Sequence, residues 1–232
     1  TPCVRVHWSD AVTSRPTWLT NLLSPVREAH TIGSMRPGLF LLPLACALAQ
    51  DIPLRFDLPD ADPVIVKAAQ PAKFLESVGR RAALLGREDG SFEAWINPIK
   101  IVRDFRLSAY FDGSLEPAPL AALAEQVRVS PGRSTIVYAH AAFTVREHWI
   151  APLDLPALIV LLDIDTDRPL KLRATFVPEF KPMWPASFGG QSSYWNEPER
   201  LFVFGEGLRR HAAVLGSPAF VRSSEQVGHQ LP

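Results

Sequence analysis

Few residues in this 232-residue chain combine type and spacing in a way that chemistry requires. There is no Gly-x-Ser-x-Gly elbow, His-Glu-x-x-His pair or glycine-rich phosphate loop, so the usual nucleophile, zinc and nucleotide signatures are missing. His140 and His148 stand eight apart with Glu147 beside the second, and two imidazoles with a carboxylate could hold a metal. Histidines on a strand surface are commoner, so no metal site and no cofactor are expected. Asp163, Asp165 and Asp167 alternate and would share one strand face, where oxygen ligands suit calcium. They lack the glycine and distant glutamate of an EF-hand loop, and a solvated strand end is expected instead. Glu88, Asp89 and Glu93 flank a hairpin turn, and no catalytic role is assigned to them or to any other residue. The most distinctive stretch is 180–196, a loop with five aromatics, two prolines, two glycines and several amides or hydroxyls. Aromatic faces stack on sugar rings and amides bond sugar hydroxyls, which makes Trp184, Gln191, Tyr194, Trp195 and Asn196 candidates for carbohydrate contact. The competing reading is structural: Trp184 plugs a sheet end and Trp195 pairs across a hairpin.

The elements that must carry these residues read as strands. From Ile99 to Phe111 the apolar residues fall on odd positions (Ile99, Ile101, Phe105, Leu107, Ala109) and Lys100, Asp104, Arg106 and Ser108 fall between them. A period of two means one buried and one wet face. Arg103 breaks the row and marks a bulge or the sheet rim. Residues 82–85 and 92–96 flank Arg87-Glu88-Asp89-Gly90, whose Asp-Gly supplies the positive φ of a tight turn. Residues 135–138 and 142–149 are rich in β-branched and aromatic types, and 170–177 alternates again. The nearly continuous apolar run 157–164 predicts a strand covered on both faces. Strands at 194–195 and 201–204 flank the turn 196–200, and 210–215 follows. Only 120–126 looks helical. Strands about ten residues apart, with turn signals between them, predict an all-β antiparallel sandwich or barrel. The last residues, from Phe220, read as the approach to a further element, so the fold is expected to be incomplete at the C-terminal end.

Composition bounds the partners. Lys+Arg and Asp+Glu are 24 each, so there is no basic field for a polyanion, and nucleic acid is not expected. The 22 prolines sit between apolar runs, as in a loop-rich β protein. The first methionine, Met35, opens a stretch with a basic start at Arg36, an apolar run 39–48 and the small-x-small end Ala47-Leu48-Ala49. That is the layout of a signal peptide cleaved after Ala49, and it is too short to span a membrane. Cys46 is not in lipoprotein order. A genuine extension with a buried helix at 39–48 is the alternative. The expected organisation is a spurious or disordered extension at 1–34 without strand alternation, a signal peptide at 35–49, and a β-sandwich domain at 50–232. The product is expected to be exported, and Cys3 and Cys46, the only cysteines, fall outside that domain.

Several segments together resemble a known family: FLESVGRRAALLG (74–86), DGSFEAWINPIK (89–100), RDF (103–105), AAFTVR (141–146), and Met183-Trp184-Pro185-Ala186 with Gly189-Gly190-Gln191. They are similar to the N-terminal region of bacterial glycogen-debranching-type (amylo-α-1,6-glucosidase-like) glycoside hydrolases, over roughly 64–232. The resemblance implies a β-supersandwich preceding a helical (α/α)6 toroid that supplies the acid and base carboxylates. That toroid is not in this chain, so the chain alone is expected to be inactive, with the catalytic domain and carbohydrate as its partners. The other reading is a stand-alone carbohydrate-binding or adhesion-type β-sandwich.

Overall fold

Period-two patterning in the sequence becomes three antiparallel sheets in the computed structural model, which describes residues 3–8, 58, 63, 65–111, 114, 116–183 and 190–226. These belong to one compact unit, Thr1–Asp10 with Asp57–Pro232. The expected signal peptide at 35–49 and the rest of the extension lie outside the described residues. In chain order the first strands are β1 (Cys3–Trp8), β2 (Ile65–Ala68), β3 (Phe74–Val78), β4 (Ala82–Arg87), β5 (Phe92–Ile96) and β6 (Ile99–Phe111). Then come β7 (Ala118–Pro119), β8 (Ala124–Ser130), β9 (Arg133–His140), β10 (Phe143–Ile150) and β11 (Ile159–Thr166). The last are β12 (Leu170–Pro182), β13 (Gln191–Asn196), β14 (Leu201–Glu206), β15 (Ala212–Gly216) and β16 (Phe220–Gln226).

The large sheet runs β16-β1-β12-β6-β5-β4-β3, with β7 beside β6; a five-stranded sheet runs β11-β10-β9-β8-β2 and a three-stranded sheet β13-β14-β15. The chain is therefore an all-β antiparallel sandwich. Among the described residues no helix is long and apolar enough to cross a membrane.

β12 shows why these layers pack. Leu170, Leu172, Ala174, Phe176, Pro178 and Phe180 are buried on one face, and the residues alternating with them are half-buried. The buried face of the large sheet is covered by both smaller sheets, and aromatic rings join them. Phe92 meets Trp149 of β10 edge-on at 5.1 Å and stacks on Phe105 at 4.4 Å. Phe105 stacks on Phe176 at 6.3 Å, and Phe176 meets Phe202 and Phe204 of β14 at 5.5 and 6.5 Å. Each such pair adds about 1 kcal/mol beyond the area it buries.

Local signals are met at two points. The β4–β5 turn closes with Gly90 at φ 84. The β6–β12 register shifts opposite Arg103–Arg106, with Asp104 at φ 52, which is the bulge expected at Arg103. Three expectations are corrected. Residues 120–126 are not a helix: Leu120–Leu123 makes a single 3₁₀ turn and β8 begins at Ala124, since so short a run cannot sustain an α-helix nucleus. β11 is an edge strand, not covered on both faces: Ile164 is 41% exposed. Continuous apolarity does not tell a central strand from an edge one. Finally, Cys3–Trp8, expected to carry no strand, forms β1 between β12 and β16.

Candidate functional site

β13 carries four of the five carbohydrate candidates, and strand alternation divides them. Trp184 lies outside the described residues. Trp195 turns inward, with its ring 4.9 Å from Phe202 and 6.3 Å from Phe220, and its indole N–H donates to Glu197. It packs, partly buried, against the core. Gln191 shares Trp195's parity and lies exposed at the strand's far end, in register with Glu206. Tyr194 has the opposite parity and is 56% exposed, in one cross-strand row with Val203 and Val214. Asn196 shares Tyr194's parity, and its Oδ1 accepts the Glu199 N–H at 3.4 Å, closing the β13–β14 turn. The strand thus brings Tyr194 and Asn196 to one face and separates them from Trp195 and Gln191.

At the other end of this sheet, Glu206 is buried and accepts backbone N–H bonds from Leu208 (2.5 Å), Arg210 (2.5 Å) and His211 (3.1 Å). Burial pushes its pKa up, but the bonds from Arg210, Leu208 and His211 outweigh it and hold the carboxyl below its ordinary range.

The two histidines do not meet. His140 stacks on Phe143 at 4.7 Å and accepts the Ala142 N–H at 3.2 Å. His148 is in register with Thr135 and opposite in strand parity to Phe143, so the imidazoles serve different sides of one sheet. Among the described residues no three histidines, cysteines or carboxylates are grouped to hold a metal. Asp163 pairs with Arg146 at 2.9 Å. The hairpin carboxylates also have local partners. Glu88 binds Lys67 and accepts the Gln70 N–H at 2.8 Å, and Asp89 accepts Ser91 N–H and O–H at 2.8 and 2.6 Å. Glu93 accepts the Trp95 indole N–H at 2.8 Å and pairs with Lys100 at 2.7 Å.

Glu147, weighed in the sequence only as a third metal ligand beside His148, sits in a strongly perturbing environment. Phe143, Val145, Glu147 and Trp149 share the inner face of β10, and Glu147 is 0% exposed. Its Oε2 accepts the Tyr138 O–H at 2.5 Å and its Oε1 accepts the Trp149 indole N–H at 2.9 Å. Burial raises its pKa to about 7, against the lowering effect of those two bonds. Tyr138 is pushed well above its ordinary range, first by burial and then by the Glu147 charge. Gly90 closes the cluster from the large sheet: a Cβ there would lie 1.8 Å from the Tyr138 hydroxyl and 3.1 Å from Glu147 Oε2. The signal was present in the sequence as a charge on the apolar row of a strand. Sealed as it is, the carboxyl can take up or release a proton but cannot touch a substrate.

No family model, curated protein or solved structure matches this chain.

Proposed function

We propose that this chain is the non-catalytic N-terminal β-sandwich of an exported glycoside hydrolase acting on α-glucan or a related oligosaccharide. It packs against a helical (α/α)6 catalytic domain that lies beyond this chain. The observation that carries the reading is an apolar patch at the open edge of the large sheet. Phe74 and Val78 of β3 and Leu153 and Leu155 of the β10–β11 loop are exposed, from 55% at Val78 to 62% at Phe74. The Arg80 N–H bond to Leu153 O (2.8 Å) ties strand and loop together. The exposed Arg80–Asp154 ion pair (2.7 Å) adds charge beside them. Large apolar side chains beside polar ones are the make-up of a docking surface. The resemblance over 64–232 supplies the identity of the partner, whose carboxylates would protonate the leaving oxygen and activate water.

The outward row of Tyr194, Val203 and Val214 favours a second reading, a stand-alone carbohydrate-binding sandwich. The gene beyond Pro232 separates the two: several hundred codons of amphipathic helix support the enzyme, and a stop codon supports the stand-alone module. Purified chain is expected to release no glucose from maltooligosaccharides or isomaltose, and hydrolysis by it would overturn both readings. On the second reading, Tyr194→Ala weakens retention in a glycogen affinity gel about tenfold, for loss of an aromatic platform.

A further inference from the structure

The outward face of the five-stranded sheet carries more guanidiniums than carboxylates. Arg128, Thr135, His148 and Leu161 stand in one row across β8, β9, β10 and β11. Arg133 lies two residues before Thr135 and Arg146 two residues before His148, so strand alternation puts both on the same face. Gln126 and Asp163 occupy the Arg146 row. Although the face is outward, Thr135 is buried and His148 is only 8% exposed. The Thr135 hydroxyl and His148 Nδ1 are 2.9 Å apart.

The partners of these cations are few. Arg146 pairs with Asp163 at 2.9 Å, and Arg128 Nε donates to the neutral Gln126 Oε1 at 2.6 Å. Arg133 Nε is buried with no hydrogen-bond partner. Among the described residues neither Arg128 nor Arg133 has a carboxylate within ion-pair distance. Asp165 lies one row further along, opposite Thr144. Three guanidiniums thus share the face with two carboxylates, of which Asp163 is paired with Arg146. Burial first, and then the Arg133 charge, press the His148 imidazole towards its neutral form. With Nδ1 engaged by Thr135, the ring's Nε2 is left for a ligand. Protein interiors and their borders do not keep uncompensated guanidiniums together without cost. A planar N–H fork matches a tetrahedral oxyanion.

We propose that this face is an oxyanion site, taking a phosphate or sulfate group between Arg128, Arg133 and Arg146 over the edge of His148. It does not rest on the glycosidase reading. The anion could be free or carried on a sugar, and the test separates these. The whole chain is titrated with sodium sulfate, with glucose 6-phosphate and with a single-stranded oligonucleotide, at ionic strength held by sodium chloride. The readout is the ¹H–¹⁵N long-range spectrum of the imidazoles. The expected result is a saturable shift of His148 with sulfate or with the sugar phosphate. Tighter sugar phosphate binding assigns the site to a phosphorylated ligand, and equal binding assigns it to the free anion. The shift weakens at least about tenfold in the Arg128→Gln/Arg133→Gln double variant, for two charge-assisted bonds lost. Arg133→Lys keeps the charge but not the fork, so it weakens binding in a background whose fold is undisturbed. The proposal is overturned if sulfate and sugar phosphate do no more than chloride, if only the oligonucleotide binds, or if Arg133→Lys binds as wild type does.

Discussion

A carboxylic acid sealed among Tyr138, Trp149 and Gly90 makes folding depend on pH in an unusual direction. The Glu147 pKa rises from 4.5 to about 7 on folding, so the folded protein holds its proton more tightly than the unfolded chain does. Below the lower value both states are protonated and the contribution is fully present. It is lost as pH rises towards the folded value, a difference of about 3 kcal/mol. Urea unfolding from pH 4.5 to 8 is expected to show this fall, and Glu147→Gln should flatten it and gain stability relative to wild type at pH 8. An unchanged slope in the variant would show that the carboxyl is not responsible. Gly90→Ala attacks the same cluster from the turn, because φ 84 and the Tyr138 hydroxyl both exclude a Cβ. It should cost about 2 kcal/mol or more by the same unfolding assay. Glu147 was legible as a misplaced charge on an alternating strand. Its partners were not, because Gly90 and Tyr138 are 48 positions apart and meet only when two sheets pack.

Strands and turns were the most legible scale, since alternation is a property of adjacent residues. β6, β12 and the β4–β5 hairpin follow their patterns closely. What an apolar run does not encode is a strand's place in its sheet, and so β11, expected to be covered on both faces, is a partly exposed edge strand. β1 had a signal of its own in Val4, Val6 and Trp8 alternating with Arg5 and His7, which the signal-peptide pattern downstream overshadowed. The same separation of face and row explains the candidates on β13: neighbours in sequence, Tyr194 and Trp195 point to opposite sides. Two elements invite measurement. Phe176 joins the large sheet to β14, and Phe176→Ala should cost about 3–5 kcal/mol, read as a lowered urea midpoint. Glu206 holds the β14–β15 turn through three backbone bonds, and its lowered pKa makes that hold present at neutral pH and lost on acidification through the folded value. Glu206→Ala should therefore speed hydrogen exchange at Leu208, Arg210 and His211 at pH 7. Unchanged rates would show that the turn holds without it.

For the molecule as a whole, export and β1 bear on one another. Cleavage after Ala49 would remove Cys3–Trp8, leaving β12 and β16 without the strand that lies between them. The intact mass of the protein recovered from the cell decides which form is made. β11 carries a last consequence. Its outer edge has no strand beside it among the described residues, yet Val160, Leu161 and Leu162 would suit another copy's backbone. Asp163 and Asp165 at the far half of that edge would place like charges opposite one another in an in-register parallel pairing of two copies. Two of the three aspartates weighed above as a calcium site would then oppose stacking of this edge on another copy, through repulsion that strong acid or high salt would weaken.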